Sequence, residues 1–386
     1  MASGSKVGLA WRILVHDRKR FVWSVLGVSF AVLLMFVEMG FYHGSYDSVT
    51  RPIEAFDADL IMVNRLKEDM YPIKPFELAR LAQARGFDGV ASAYPLYSIF
   101  AANWKNSQNG TIHPIRVMAF DPAHRIWNLP SINAGLEALR RPDTCLLDAR
   151  SREQYGTLAP GTLGELEGRR VRIGGVFSMG PDIVIDGTLL MSSASFANYF
   201  PNDPGKRPTL DGVDFGVLKL EPGAVPERVA EALMRELPDD ILVVTPAGMI
   251  ERIHAHWRKN QPVGEVFLTG LVVGFVIGVM ICYQVLFTEI ADNLPQYATL
   301  KAIGYGNGFL VGCVLRQGLY LALIGFTVGG LAAFGTYATL ERISSLPMEF
   351  QPLRVGLVLV ATVAMCVTAA SIALGKVLRS DPAEVF

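Results

Sequence analysis

The sequence has little charge. Of its 386 residues only 18% are charged and 51% are hydrophobic, the net charge is −1, and the mean hydropathy is +0.32. Soluble domains carry about 25% charged residues, so this composition is too apolar for a chain that is dissolved in water over its whole length. Either the apolar residues are spread through a large enzyme, or they are concentrated in windows that can cross a bilayer.

Four windows contain no Asp, Glu, Lys or Arg at all. They are residues 21–37, 266–288, 317–340 and 355–375. A membrane span needs about 20 apolar residues at a rise of about 1.5 Å each, and the first window extends to residue 42 once Glu38 is passed. We therefore predict four transmembrane helices, listed in chain order: residues 21–43, 263–288, 309–334 and 353–376.

Most of the charged residues lie between the first two spans. Residues 44–262 have an ordinary globular composition and are numerous enough to bury a core of their own. The fold class predicted is thus a membrane protein of four transmembrane α-helices, with a large α/β domain inserted between the first and the second. Only one of the four cysteines, Cys145, lies in that domain, so no disulfide can hold it together.

Basic residues near the ends of the spans predict the orientation. Five precede the first span, Lys301 lies between the second and third, and Lys376 and Arg379 follow the fourth. Because positive charge marks cytoplasmic segments, both termini and the tail 377–386 are expected in the cytoplasm. The inserted domain and the loop 335–352 then face outward, and the protein is expected in the inner membrane.

The N-terminal segment 1–20 has an amphipathic helical pattern. Apolar residues recur at helical spacing from Val7 to Val15 with Trp11 among them, which is typical of a helix lying in the inner interface. A helical leader without a partner is the alternative. A cleaved signal peptide is a second alternative, but no small-x-small cleavage site follows the apolar run.

The inserted domain shows alternating strand and helix patterns. Strands are predicted at 58–63, 90–101, 170–177, 183–191, 215–220 and 241–245, and helices at 75–85, 226–237 and 249–260. The dipeptide Asn109-Gly110 predicts a hairpin between residues 98–104 and 111–120. Two βαβ-like units thus flank a middle rich in short strands, and residues 249–260 form a helical stalk that leads into the second span.

Sequence motifs of catalysis are missing. We find no phosphate-binding G-x-x-x-x-G-K-[ST] loop, no HExxH, no GxSxG and no cluster of Cys or His at ligand spacing. His254 and His256 are two residues apart and so lie on different sides of a helix, which argues against a shared metal site. The chain is therefore interpreted as a non-enzyme that holds no metal or cofactor of its own.

Two kinds of residue stand out inside the spans. Glycines recur every fourth residue, and such a face lets another helix approach closely, either in the same chain or in a second copy. These glycines are Gly270, Gly274, Gly278, Gly325 and Gly329.

Glu38 lies toward the outer end of the first span with Met39, Tyr42 and His43 nearby, and it is either hydrated at the headgroups or part of a lateral substrate site. These residue types can also ligate haem. Arg316 is interpreted as an anchor at the cytoplasmic headgroups.

The segment 289–308 between the second and third spans offers a short amphipathic helix after Pro295. Such a helix has nothing in the membrane to cover, so it is expected to dock on a partner protein. The docking residues predicted are Gln296, Tyr297, Ala298, Thr299, Leu300, Lys301, Ala302, Ile303 and Gly304.

The chain has a single span before a large outer domain, three grouped spans after it, and the tail Ser380-Asp381-Pro382. In these features it resembles the FtsX and MacB family of ABC transporter permeases, and within that family the DevC type. The similarity runs over nearly the whole length. It includes residues 55–63, 74–76, 86–90, 104–106, 128–130, 142–144 and 296–305. Glu38 departs from the DevC pattern.

The resemblance implies a homodimeric permease in the lipid bilayer, paired with two copies of a cytoplasmic ABC ATPase whose groove receives residues 297–304. ATP and Mg would then be bound by that partner. A periplasmic membrane-fusion adaptor and a TolC-like outer-membrane channel are also implied, and no nucleic acid. Export of an amphipathic or lipid-like substrate is the function expected. The alternatives within the family are an FtsX-like signal transmitter that activates a periplasmic enzyme, a haem exporter and lipoprotein extraction.

Overall fold

The computed structural model describes residues 11–12, 14–201, 210–293, 303, 306–344, 348 and 350–379. The chain divides into two compact units. One comprises Met1–His43, Val263–Ile343 and Met348–Phe386, and the other comprises Gly44–Pro262 and Ser344–Pro347.

The first helix, α1, is longer than the span predicted from composition. It spans Arg18–Glu54 without interruption, and its 37 residues are about 55 Å long at the helical rise. The loss of apolar character after residue 43 marks the end of the stretch suited to a bilayer, but it does not end the helix. The last turns of α1, from Gly44 onward, belong to the second unit.

The second unit is an α/β domain, as predicted. Its strands are β1 (Leu60–Asn64), β2 (Phe76–Glu77), β3 (Val90–Lys105), β4 (Ile112–Phe120), β5 (Thr144–Asp148), β6 (Leu163–Leu166), β7 (Arg169–Phe177), β8 (Thr188–Ser192), β9 (Gly212–Val213), β10 (Phe215–Leu220) and β11 (Ile241–Val244). Its helices are α2 (Leu78–Arg85), α3 (Pro130–Leu139), α4 (Ser193–Tyr199), α5 (Pro226–Glu236) and α6 (Pro246–Asn260), with a 3-10 turn at Glu153–Tyr155.

The two predicted βαβ-like units are present, but they interleave. The order β11-β1-β10-β3 places one strand of the second unit between the two strands of the first, and every neighbouring pair is antiparallel. This is the split βαβ arrangement of ferredoxin-like folds. Helices α2 and α5 bury Leu81 and Leu233 in the core of the domain.

Strand β3 continues into a second lobe. Its second half pairs with β4 through the predicted hairpin, in which Gly110 has a φ of 73° that suits glycine. From β4 the pairing continues through β8, β5, β7 and β6, and β6 pairs back onto β3 at Trp104 and Lys105. The six strands thus close on themselves, which leaves this lobe without an open edge.

Among the predicted boundaries that differ from the structure, two have a clear cause. The helix expected at 75–85 begins only at Leu78, because Phe76 is taken into the two-stranded pairing with Val213. The strand expected at 183–191 is restricted to Thr188–Ser192, since the residues before it form a loop organised by Asp182.

The first unit contains, besides the start of α1, the helices α7 (Val263–Asp292), α8 (Asn307–Ser344) and α9 (Pro352–Arg379). Each of the four has a stretch long and apolar enough to cross a membrane. Their common core includes Val28, Val32, Leu286 and Met365, and the buried thiols of Cys282 and Cys366 lie 3.4 Å apart between α7 and α9. Helix α7 continues four residues into the segment 289–308 that was expected outside the spans.

Candidate functional site

The segment predicted to dock on a partner lies almost wholly outside the described residues. Of Gln296, Tyr297, Ala298, Thr299, Leu300, Lys301, Ala302, Ile303 and Gly304, the structure describes Ile303 alone. The Ile303 side chain is 70% exposed. An isoleucine this exposed is available to a partner, and the docking role of the segment stays a prediction.

The glycines of α7 face α1 within the same chain. A Cβ atom on Gly274 would lie 3.3 Å from Leu34 Cδ2, and one on Gly278 would lie 3.0 Å from the Cβ of Ala31 and closer still to Met365 Sδ of α9. On Gly270 it would lie 2.5 Å from the carboxyl carbon of Glu38. The absence of side chains on this face of α7 therefore lets α1 approach closely.

The glycines of α8 face the other side of α1. A Cβ atom on Gly325 would lie 2.8 Å from Val28 Cβ, and one on Gly329 would lie 2.6 Å from the carbonyl oxygen of Ser29 and 2.8 Å from Val32 Cβ. Helix α1 is thus packed between the glycine faces of α7 and α8. Close packing on two sides fixes the first helix firmly within its unit.

The Glu38 carboxyl group occupies the space above Gly270. Near it, the rings of Phe41 and Phe267 stack with centroids 5.3 Å apart and planes inclined by 8°. Glu38 is only partly exposed, so the glycine opposite makes room for the carboxyl group between two helices. The sequence could locate this glutamate but not its partner helix.

The other residues of the predicted substrate contact divide between two environments. Met39 packs against the apolar core of the helix bundle, whereas the rings of Tyr42 and His43 meet edge to face with centroids 5.1 Å apart. Within the described part of the chain, no three His, Cys, Asp or Glu side chains are grouped for a metal ion. A methionine directed into the bundle core is poorly placed to serve as a haem ligand.

In the α/β domain, the stalk helix α6 is anchored by Trp257. This side chain is 3% exposed, its ring contacts those of Tyr46 and Tyr71, and its Nε1 donates a hydrogen bond to Asp69 Oδ2 over 3.2 Å. Burial raises the pKa of Asp69, and the hydrogen bond from Trp257 partly offsets that rise. Since Tyr46 belongs to α1, Trp257 joins the end of α1 to α6 and to the loop of Asp69.

The end of α1 also holds the loop between β7 and β8. Arg51 Nη1 donates to the carbonyl oxygen of Met179 over 3.1 Å, and the Ile183 amide donates to Ser48 Oγ over 3.3 Å. Asp148 at the end of β5 also fixes this loop, because its carboxylate accepts hydrogen bonds from the amides of Met179 and Gly180. Burial raises the pKa of Asp148, and these amide hydrogen bonds partly offset it.

A buried ion pair completes this attachment. Arg116 of β4 pairs with Asp182, and their side chains are 4% and 1% exposed. The second carboxylate oxygen of Asp182 accepts hydrogen bonds from the amides of Val184 and Ile185, each 2.8 Å long. Burial lowers the pKa of Arg116, but the Asp182 carboxylate together with Tyr71 and Asp69 outweighs this effect, so that the net shift is upward. The guanidinium charge of Arg116 is therefore retained inside the domain.

We call these residues the stalk anchor: Tyr46, Ser48, Arg51, Asp69, Tyr71, Arg116, Asp148, Asp182 and Trp257. Sequence reasoning missed it. Its members are scattered over about 200 positions at no recognisable spacing, and only the isolated charges within apolar stretches could have suggested that they are buried. The anchor joins the last turns of α1 to α6 and to both lobes of the sheet.

Four apolar helices with an α/β domain inserted after the first define the chain as a multi-pass membrane protein. Two family profiles match it, "MacB-like periplasmic core domain" over residues 21–236 and "FtsX-like permease C-terminal" over residues 268–382. The first covers more than half of the chain. The chain therefore belongs to the MacB/FtsX-type family of ABC transporter permeases.

Two solved structures of periplasmic or extracellular domains are similar to about half of this chain. The periplasmic region of MacB from Actinobacillus actinomycetemcomitans is 9% identical, covers 50% of this chain and 92% of its own, and has a TM-score of 0.34. The extracellular domain of the ABC-type transporter YknZ from Gram-positive bacteria is 11% identical over 48% of this chain and 99% of its own, with a TM-score of 0.31. Comparison with curated protein sequences gives no match.

Proposed function

We propose that the chain is the permease subunit of an ATP-driven exporter in the inner membrane. A separate cytoplasmic ABC ATPase binds and hydrolyses ATP, with its Mg, and the permease passes the resulting movement to the outer domain. In this arrangement both termini face the cytoplasm, the α/β domain faces outward, and two copies of the chain form a homodimer.

The observation that carries the proposal is the continuity of α1. One helix, Arg18–Glu54, begins within the membrane unit, where glycine faces of α7 and α8 hold it, and ends in the stalk anchor of the α/β domain. A helix fixed tightly at both ends is stiff along its axis, so a displacement at one end is passed to the other. A channel lining is not required for such a mechanism.

The stalk helix α6 provides a second connection. It ends at Asn260 and α7 begins at Val263, so only two residues separate the anchored stalk from the helix that precedes the predicted docking segment.

The substrate class proposed is amphipathic or lipid-like, delivered through a membrane-fusion adaptor and a TolC-like channel. The closed six-stranded lobe supports docking of an adaptor, because a lobe with no open edge is a stable, rigid surface. A haem substrate is less well supported, since Met39 packs into the bundle core.

Reconstitution with the cognate ATPase tests this function. In lipid nanodiscs the wild-type chain should stimulate ATP turnover, and the double variant Leu300→Asp with Ile303→Asp should abolish the stimulation while leaving folded protein intact. Val225→Asp, at a 46% exposed position of the α/β domain, serves as the matched control and should leave turnover unchanged. Unchanged turnover in the double variant would refute residues 296–304 as the coupling element.

The same preparation separates export from signal transmission. Export predicts that adding a membrane-fusion adaptor raises turnover further and that a labelled amphipathic lipid leaves the membrane in an ATP-dependent manner. Signal transmission predicts instead that a periplasmic cell-wall hydrolase is activated and that no lipid moves.

A further inference from the structure

The end of α7 carries a polar junction that the proposed function does not by itself explain. Glu289 and Gln317 are 7% and 0% exposed, and Gln317 Nε2 of α8 donates a hydrogen bond to Glu289 Oε1 of α7 over 3.2 Å. One turn further along α7, Asp292 forms an ion pair with Arg20 of α1. Two polar contacts on one face of α7 therefore join its last turns to two of its neighbouring helices, α1 and α8.

The positions of these residues make the contacts unusual. Glu289 directly follows the charge-free window 266–288, and Gln317 opens the window 317–340. Polar and ionisable side chains in or beside membrane spans are costly to bury, so their burial indicates a function rather than packing alone. Apolar residues would have joined the helices at lower cost.

The junction is also incompletely satisfied. Among the described residues, Arg20 Nη2 and Gln317 Oε1 are buried without a hydrogen-bond partner. Beside Arg20 is a cavity of about 300 Å³ whose lining also includes Glu289, Asp292 and Asn293. Open volume and spare hydrogen-bonding groups allow these side chains to exchange partners if α7 shifts against α1 and α8, which a closely packed apolar contact would resist.

Helix α7 ends next to the predicted docking segment. The helix is closed by Asn293, whose backbone amide and side-chain Nδ2 both donate to the carbonyl oxygen of Glu289. Asn293 lies three residues before Gln296, the first residue expected to enter the ATPase groove. The orientation of this last turn therefore sets where the docking segment starts.

We propose that Arg20, Glu289, Asp292 and Gln317 form a coupling junction that positions the docking segment and transmits its movement to α1 and α8. This inference rests on the proposed function. The four side chains touch neither ATP nor substrate and act as positioning residues. When the ATPase displaces the docking segment, the ion pair carries the displacement to α1 and the Glu289–Gln317 hydrogen bond carries it to α8.

A charge-exchange experiment tests the junction in the full-length permease with its ATPase in nanodiscs. Arg20→Asp and Asp292→Arg should each lower permease-stimulated ATP turnover by up to about fivefold, because an ion pair whose side chains are 28% and 62% exposed contributes about 0–1 kcal/mol. The double variant Arg20→Asp with Asp292→Arg should restore most of the turnover. Copurification of the ATPase and the melting temperature of the permease should stay close to wild type in all three.

The hydrogen bond is tested in the same way. Glu289→Gln keeps an acceptor for Gln317 and should retain most of the stimulated turnover, whereas Glu289→Leu should lose it. Thr288→Ala, at the exposed neighbouring position, is the matched control and should behave as wild type.

The outcomes distinguish the inference from the function on which it rests. The junction has no coupling role if the single variants stimulate ATP turnover as strongly as the wild-type permease does. It likewise has none if the charge exchange fails to restore turnover. If turnover falls only in proportion to the loss of folded protein, the junction is purely structural and the inference is again refuted. A wild-type permease that never stimulates the ATPase would refute the proposed function instead.

Discussion

Removing Asp182 tests whether the stalk anchor holds the α/β domain together. Asp182→Ala leaves the guanidinium of Arg116, whose side chain is 4% exposed, without its counter-ion. It also deprives the Val184 and Ile185 amides of their acceptor. The loop that meets the end of α1 therefore loses its internal support while the rest of the sheet is unchanged.

The expected cost follows from the burial of the pair. Breaking a buried ion pair by removing one partner typically costs about 3–5 kcal/mol, because the remaining charge is left uncompensated. For a domain of about 150–250 residues, 1 kcal/mol corresponds to roughly 2–4 °C in melting temperature, so the domain should melt about 6–20 °C lower.

The assay is thermal unfolding of the full-length chain in detergent, followed by hydrogen exchange of the amides in residues 178–186, which should become less protected. Asp239→Ala is the matched control. It removes an ion pair with Arg65 whose side chains are 47% and 88% exposed, and pairs of this kind contribute about 0–1 kcal/mol. An Asp182→Ala transition within about 2 °C of wild type would show that the pair does not hold the anchor.

Three further predictions concern the stalk and the bundle. Trp257→Ala should destabilise the α/β domain by about 3–5 kcal/mol in denaturant unfolding, and Trp257→Phe by less, because it keeps the ring contacts and loses only the bond to Asp69. Burial lowers the pKa of His254 below its ordinary 6.5, so near that pH the unfolded chain binds more protons than the folded chain. The free energy of unfolding should therefore fall as the pH drops from 7.5 to 5.5, and His254→Gln should flatten this slope in thermal melts. In α8, Gly329→Ala should cost about 1–3 kcal/mol through contact with Ser29 and Val32, whereas Gly335→Ala, which meets nothing within 4 Å, should cost nothing measurable.

The parts of the fold that follow local patterns could be predicted from the sequence. Charge-free windows located the four apolar helices, and Asn109-Gly110 located the hairpin, because turn chemistry and hydrophobic length act over a few neighbouring residues. The interleaving of the two βαβ units could not be predicted. Which strand inserts between which depends on packing between residues more than 100 positions apart, such as Leu60 and Leu218.

The functional residues were harder to predict than the fold. The glycine faces were visible as a spacing, but only the structure shows that they meet α1. The stalk anchor gave no pattern, since Asp69, Arg116 and Asp182 are brought together by the fold alone. The sequence predicts that Glu289 begins the segment after the second span, and the structure adds that α7 continues past it to Asp292 and that its side chain is buried.

The central claim is that ATP binding by the partner moves the outer domains. A spin label on Leu163→Cys, at a position 46% exposed in the closed lobe, allows the distance between the two copies in the dimer to be measured with and without ATP. Background labelling of the domain is low because Cys145 is fully buried, and this burial raises the pKa of its thiol. The distance distribution should shift when ATP is added to the complex with a hydrolysis-deficient ATPase, and the shift should disappear with Leu300→Asp and Ile303→Asp. A distribution that is identical with and without ATP would contradict the central claim.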